Sequence, residues 1–168
     1  SIQPLHRTTM TAVGATWGLT FVQFILGALT RHTDSWGVSN TFPAWSSNGF
    51  LPADDLWQYS QVVIHFVHRT TAYLVAGLVA YQWWKLRRAD NNAFMSRLSI
   101  VSVGLVVVQI LLGAGILWTA RGEIVTTLHV MTGVLLLAMN TLLMYSAFRA
   151  PVAFQQHHDE AILQVGGR

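Results

Sequence analysis

Four long apolar segments run through the chain, separated by polar stretches of unequal length. The segments cover residues 9–30, 62–84, 98–120 and 124–148. A helix needs about 20 predominantly apolar residues to cross the hydrocarbon core of a bilayer, and each segment reaches that length. The pattern therefore predicts an all-α integral membrane protein, a four-helix bundle that forms a single domain over residues 1–168.

Short motifs recur in alternate segments. The first and third segments each contain Gln, two apolar residues and Leu-Gly-Ala, beginning at Gln23 and Gln109. The second and fourth each contain a histidine, then a threonine three positions on and a small residue four positions on, beginning at His68 and His129. These matches predict a bundle built from two repeated helix pairs.

His68 and His129 are ionisable groups within apolar segments, where such groups are costly and usually face a bundle interior. By helix rise both lie about 9 Å below the membrane surface. Ala72 and Gly133, four positions on, share their helix faces and would leave room for a flat macrocycle. Because neutral imidazole is a standard axial ligand of heme iron, the sequence favours one heme clamped between helices two and four. The alternative is two histidines that hydrogen-bond across helices.

Other polar residues lie close to these histidines in sequence. Arg69 favours a contact with a heme propionate, since an unpaired cation about 10 Å deep is costly; the alternative is snorkelling to the interface. His65 lies one turn before His68 and could handle protons, touch the edge of a bound ring or fill polar space. The sequence leaves these three roles open. For Gln23 and Gln109, hydrogen bonds between helices are the favoured role.

The connections differ greatly in length. Residues 31–61 form the longest one and carry six aromatic side chains. Such a loop is usually functional, so we expect either a lid over a site in the outer half of the bundle or an aromatic anchor at the headgroup level. Pro151 predicts a break after the fourth segment, with His157 and His158 in a solvated tail. These two histidines and His6 fall outside the segments, which disfavours a second heme site.

Composition and charge agree with a membrane protein. The 168 residues are 52% hydrophobic and 10% charged, whereas soluble domains average about 25% charged. The cations of this +3 chain flank the segments instead of forming a stripe, which argues against nucleic acid as a partner. They gather before segment one, between segments two and three, and after segment four. The positive-inside rule then predicts cytoplasmic termini, with the long loop and the heme site toward the external face of the cell membrane.

The chain has no cysteine, which excludes disulfides and thiolate metal sites. We also expect no cleavable signal peptide.

The motifs around Gln23, His68 and Gln109–Gly133 resemble those of the heme A synthase family, over about residues 9–148. The resemblance implies an eight-helix membrane protein made of two four-helix halves, each binding a heme through histidines on its second and fourth helices. This chain would correspond to one half and would be expected to act as a homo-oligomer. The family's His-Arg pair falls on His68 and Arg69, and its fourth-helix histidine falls on His129.

Two positions depart from the family pattern. The catalytic half normally has a glutamate three residues before the second-helix histidine, where this chain has His65. The loop over residues 31–61 lacks the cysteine pair that the family often carries. The resemblance implies oxidation of heme O to heme A for terminal oxidases, with His65 as the candidate catalytic residue in place of the glutamate.

The departures favour a different interpretation. In it the chain holds heme b as a cofactor and serves as an electron-transfer or structural subunit of a larger membrane complex. A third interpretation is a heme-free scaffold that keeps only the fold. In the two heme-binding interpretations the expected partners are heme, the lipid bilayer, and either further copies of the chain or a larger complex.

Overall fold

The computed structural model describes residues 7–47, 49–88 and 93–166, with side chains as far as Arg149. Within these ranges the chain forms four α-helices: α1 (Arg7–His32), α2 (Ser60–Arg88), α3 (Ala93–Trp118) and α4 (Glu123–Gly166). Two short 3-10 helices, Ser35–Val38 and Asp54–Gln58, lie in the connection between α1 and α2. The all-α prediction is confirmed.

Each of the four helices is long and apolar enough to cross a membrane; in α4 this part is Glu123–Arg149. In α3 the usual pattern of a soluble helix is inverted. Ser99 and Ser102 are buried within the bundle, whereas Val107 and Leu111 point outward. Apolar side chains gain nothing by leaving lipid, so small polar residues can occupy the helix interfaces. The chain is therefore a multi-pass membrane protein.

The helices pack as a closed bundle in which sequence neighbours are also neighbours in space. Helix α1 contacts α2 and α4, and α3 contacts the same two helices. Helices α2 and α4 consequently lie opposite each other across the bundle. This arrangement matters for function because α2 carries His68 and α4 carries His129.

Among the described residues, the two apolar core clusters lie away from the long loop. One apolar cluster is formed by Val75, Val79, Val106 and Leu136 near the middle of the bundle. A second cluster, nearer the opposite end from the loop, joins all four helices: Val13, Leu86, Met95, Leu143 and Ala147. The half of the bundle nearer the loop is instead occupied by a cavity.

Several helix ends differ from those predicted. Helix α2 extends to Arg88, and α3 already begins at Ala93, because polar residues can continue a helix beyond the apolar core of a membrane. The predicted break at Pro151 is wrong, since α4 continues to Gly166. Proline removes one backbone donor and crowds the preceding turn, which can bend a helix without ending it. The side chains of His157 and His158 lie outside the described residues, as does all of His6.

A tight turn joins α3 to α4 at the loop end of the bundle. Ala120 and Arg121 adopt positive φ angles of 47° and 68° there. Arg121 Nη1 donates to Asp34 Oδ1 at 2.7 Å, which links this turn to the long loop. Both side chains are substantially exposed, so this ion pair contributes little to stability.

Candidate functional site

A cavity of about 520 Å³ lies between the two helix pairs, at the end of the bundle that carries the long loop. His68 and His129 both line it. Its volume falls within the range of about 300–1,000 Å³ that is typical of small-molecule sites, and its walls are mostly apolar. The two histidines that the sequence paired are thus brought to one cavity from opposite helices.

His68 is held from the α1 side by Gln23. The Gln23 Nε2 atom donates to His68 Nδ1 at 3.1 Å and to the His68 carbonyl oxygen at 3.0 Å. One turn further along α1, a Cβ atom built on Gly27 would lie only 3.2 Å from His68 Cε1. The absence of a side chain at Gly27 therefore lets α1 pack directly against the imidazole.

His129 has a related but different surrounding on α3. A Cβ atom built on Gly113 would lie 3.4 Å from His129 Cε1, so this glycine also lies against an imidazole. His129 Nδ1 is buried without a hydrogen-bond partner, although the backbone of Gln109 approaches the ring. The Gln109 side chain turns instead toward Gly133, where an added Cβ would lie 2.8 Å from Gln109 Nε2. Part of the space that Gly133 leaves is thus taken by an amide.

Arg69 lines the cavity and also holds the long loop in place. Its guanidinium packs over the Trp45 ring, 5.4 Å from the ring centroid. From the sequence, the predicted roles of Arg69 were a propionate contact or snorkelling, and neither includes holding the loop. The guanidinium donates to the Ser39 hydroxyl at 3.0 Å and to the carbonyl oxygens of Thr41, Pro43 and Ala44 at 2.8, 3.2 and 3.1 Å.

The loop covers the mouth of the cavity. Trp36 and Phe42 belong to the cavity wall, as does His32 at the end of α1. The Phe42 ring contacts Trp118 edge-on, with centroids 6.5 Å apart, and so reaches from the loop to α3. Phe50 is 69% exposed and faces away from the protein. The loop therefore combines inward aromatic side chains that close the site with an outward one that suits the headgroup level.

His65 does not line the cavity. It is buried on the loop side of α2, where its ring meets Trp45 edge-on with centroids 5.4 Å apart. Three residues turn an α-helix by about 300°, which leaves about 60° between the directions of His65 and His68. The structure thus separates the candidate catalytic histidine from the pair that shares the cavity.

The sequence predicted that Gln23 joins helices, and it does join α1 to α2. The sequence did not predict that its partners are the imidazole and the carbonyl oxygen of His68. The signal was present in the sequence, because Gln23 and Gly27 lie four residues apart and therefore share one face of α1. The same spacing relates Gln109 and Gly113 on α3.

The fold and the site define a small polytopic membrane protein with a ligand-sized cavity lined by one histidine from each of two opposite helices. Residues 2–141 match the family model described as COX15-CtaA, cytochrome oxidase assembly protein. The chain belongs to this family, and the resemblance seen in its motifs is confirmed.

Relatives of this chain carry the name heme A synthase. The protein of Maricaulis maris is 35% identical over 121 residues, covering 66% of this chain and 34% of the relative. That of Bradyrhizobium sp. is 29% identical over 135 residues, covering 74% and 37%. That of Dinoroseobacter shibae is 32% identical over 91 residues, covering 46% and 23%. The matched part of this chain thus spans 23–37% of the length of these relatives. No solved structure matches it significantly.

Proposed function

We propose that this chain binds one heme between His68 and His129 and acts as a heme A synthase-type protein, oxidising heme O to heme A. The observation that carries this proposal is that the two imidazoles line the same cavity from opposite helices. Imidazole is a common axial ligand of heme iron. A bound heme would serve either as a redox cofactor of b type or as the substrate itself.

The surroundings of the two rings suit a flat apolar ligand. Gly27 and Gly113 each abut an imidazole edge and line the same cavity, so no side chain at these positions fills the space beside the rings. His129 Nδ1 is a buried polar atom without a hydrogen-bond partner, and such an atom is uncommon outside functional sites. The donor set, two neutral imidazoles in an apolar cavity, fits heme iron.

The charges around the cavity favour one orientation of the macrocycle. Arg31, Arg69 and Arg121 all line the cavity near the loop. Propionate carboxylates placed at this end would meet these cations, whereas the apolar edge of the ring would point toward the middle of the membrane. Arg69 is our candidate for a propionate contact, in addition to its hydrogen bonds to the loop.

A second candidate function is to hold heme b for electron transfer, or as a structural subunit, without converting heme O. The position of His65 behind Trp45, away from the cavity, favours this alternative. Among the described residues that line the cavity none is Asp or Glu, so the wall offers no carboxylate to handle protons. His65 as the catalytic group therefore remains a prediction.

We also propose the setting in which the protein works. In this proposal the chain acts with further copies of itself or within a larger membrane complex. The cations Lys85, Arg87 and Arg88 end α2 at the side opposite the loop. The positive-inside rule then orients the cavity toward the external side of the cell membrane.

Heme extraction and absorption spectroscopy on the purified protein test these proposals together. The protein should bind heme with a low-spin Soret spectrum, and His68→Ala and His129→Ala should each abolish that spectrum. Expression beside a heme O source then separates the two functions, because chromatography of extracted heme would find heme A only for the enzyme. A wild-type protein that binds no heme would refute both.

A further inference from the structure

The two histidines have equivalent glutamine neighbours that make different contacts. Gln23 and Gln109 occupy the same place in the repeated motif, each four residues before a glycine that abuts an imidazole. The Gln23 amide bonds directly to the His68 ring. The Gln109 amide does not bond to the His129 ring and lies beside Gly133 instead. The sequence repeat is therefore broken at the level of side-chain contacts.

The orientation of the Gln23 amide beside His68 implies one tautomer of the ring. An amide nitrogen only donates, so Nδ1 accepts and the proton of the neutral ring is placed on Nε2. Coordination of a metal through Nε2 requires the other tautomer, with the proton on Nδ1. The present direction of the Gln23 amide opposes that tautomer, because two donors would then face each other.

Gln23 carries the group that would resolve this conflict. Its Oε1 atom is buried and has no hydrogen-bond partner. A buried acceptor without a partner is unfavourable, and rotation of the amide would bring this atom to the Nδ1 proton. The rotation gives up both bonds that Nε2 donates, to Nδ1 and to the carbonyl oxygen of His68, and gains one from the ring to Oε1.

We propose that Gln23 is a positioning residue for His68, and that its amide turns to accept the Nδ1 proton when Nε2 binds heme iron. The proposal rests on the proposed heme site. Partners of this kind orient a metal-bound histidine and raise its basicity. A more basic axial ligand stabilises ferric over ferrous iron, so Gln23 lowers the midpoint potential of the bound heme.

Gln109 supplies a matched control. Its side chain is buried at the equivalent position, yet only its backbone approaches the His129 ring. Replacing the Gln109 side chain should leave that backbone approach in place. We therefore expect the glutamine side chain to affect the potential of the bound heme through His68 and not through His129.

The test compares Gln23→Leu, Gln23→Glu and Gln109→Leu in the full chain loaded with heme b. We measure heme affinity by titration and the midpoint potential by spectroelectrochemistry. Gln23→Leu should weaken heme binding by about 10- to 100-fold and raise the potential. Gln23→Glu, a stronger acceptor, should lower the potential below that of the wild type. Gln109→Leu should leave the potential close to the wild-type value, whereas its heme affinity can change because Gln109 also lines the cavity.

Opposite shifts from Leu and Glu at position 23 would not arise from a general packing defect. Equal potentials for the Gln23 variants and the wild type would overturn the proposal, as would an equal shift from Gln109→Leu. If Gln23→Leu binds no heme, the proposal is tested by Gln23→Glu alone. A lower midpoint potential in that variant supports the proposal, and an equal or higher one overturns it. If the wild type binds heme normally, a negative result here rejects the role of Gln23 alone; a wild type without heme rejects the proposed function first.

Discussion

The side-chain amide of Gln82 on α2 donates to Asn140 Oδ1 on α4 at 3.2 Å, directly across the bundle. Both residues are completely or almost completely buried. Along α2, Gln82 lies about 21 Å beyond His68 by helix rise. One pair of opposite helices is thus joined by an amide contact at one end and lines a cavity at the other, which lets the cavity exist without loosening the whole bundle.

This contact predicts a measurable coupling. Gln82→Leu or Asn140→Leu should each destabilise the protein by about 1–2 kcal/mol, because either change leaves the other amide buried without its partner. The double variant should lose less than the sum, since it removes both polar groups. Unfolding in detergent, followed by circular dichroism, measures all three. The expected size is consistent with interhelical hydrogen bonds in membranes, which reach about 1.7 kcal/mol. Strict additivity of the two single changes would contradict the coupling.

The glycines that contact the histidines predict a graded loss of heme binding. Gly27→Ala places a Cβ 3.2 Å from His68 Cε1, and Gly113→Ala places one 3.4 Å from His129 Cε1. The first change must push its imidazole further and should weaken heme binding about tenfold, equivalent to about 1.4 kcal/mol. The second should have a smaller effect. Heme titration of the purified variants provides the measurement.

Gly18→Ala is the control for the glycine variants. It lies on the same helix as Gly27, but an added Cβ there meets no atom within 4 Å. Heme affinity should therefore stay unchanged, and α1 should gain slightly in helix propensity. A loss of heme in Gly18→Ala equal to that in Gly27→Ala would show that the effect comes from α1 in general and not from the contact with His68.

The sequence predicted the helices and the pairing of His68 with His129 because both follow from local patterns, apolar length and a repeated motif. It could not predict the partners of Arg69, because the path of the loop depends on tertiary contacts that no local period encodes. It placed His65 one helical turn before His68, although about 60° separates the directions of the two side chains. That angle is enough to turn His65 toward Trp45.

Arg69 predicts a link between loop order and retention of heme. Arg69→Lys keeps the charge but loses the planar fork that reaches several loop carbonyl groups at once. Hydrogen exchange in residues 39–45 should become faster, and bound heme should dissociate several-fold faster because the cover over the cavity opens more often. Mass spectrometry of exchanged peptides and transfer of heme to an acceptor protein measure the two effects.

Arg31→Lys is the matched control for Arg69→Lys. Arg31 also lines the cavity, and it lies at the end of α1 rather than beneath the loop carbonyl groups. Exchange in residues 39–45 should remain at the wild-type rate in this variant. Unchanged loop exchange in Arg69→Lys itself would show that the hydrogen bonds to the loop do not hold it closed.

Replacing His65 distinguishes a structural role of this residue in packing from a chemical role at the heme. His65→Ala removes a buried ring that packs on Trp45, so the protein should lose about 1–3 kcal/mol of stability. Heme stoichiometry and the Soret spectrum should stay the same, because His65 does not line the cavity. His68→Ala provides the contrast, since it should lose the heme. A His65→Ala protein that folds but binds no heme would place this residue at the ligand after all, and loss of heme A formation with heme binding intact would identify His65 as the catalytic group.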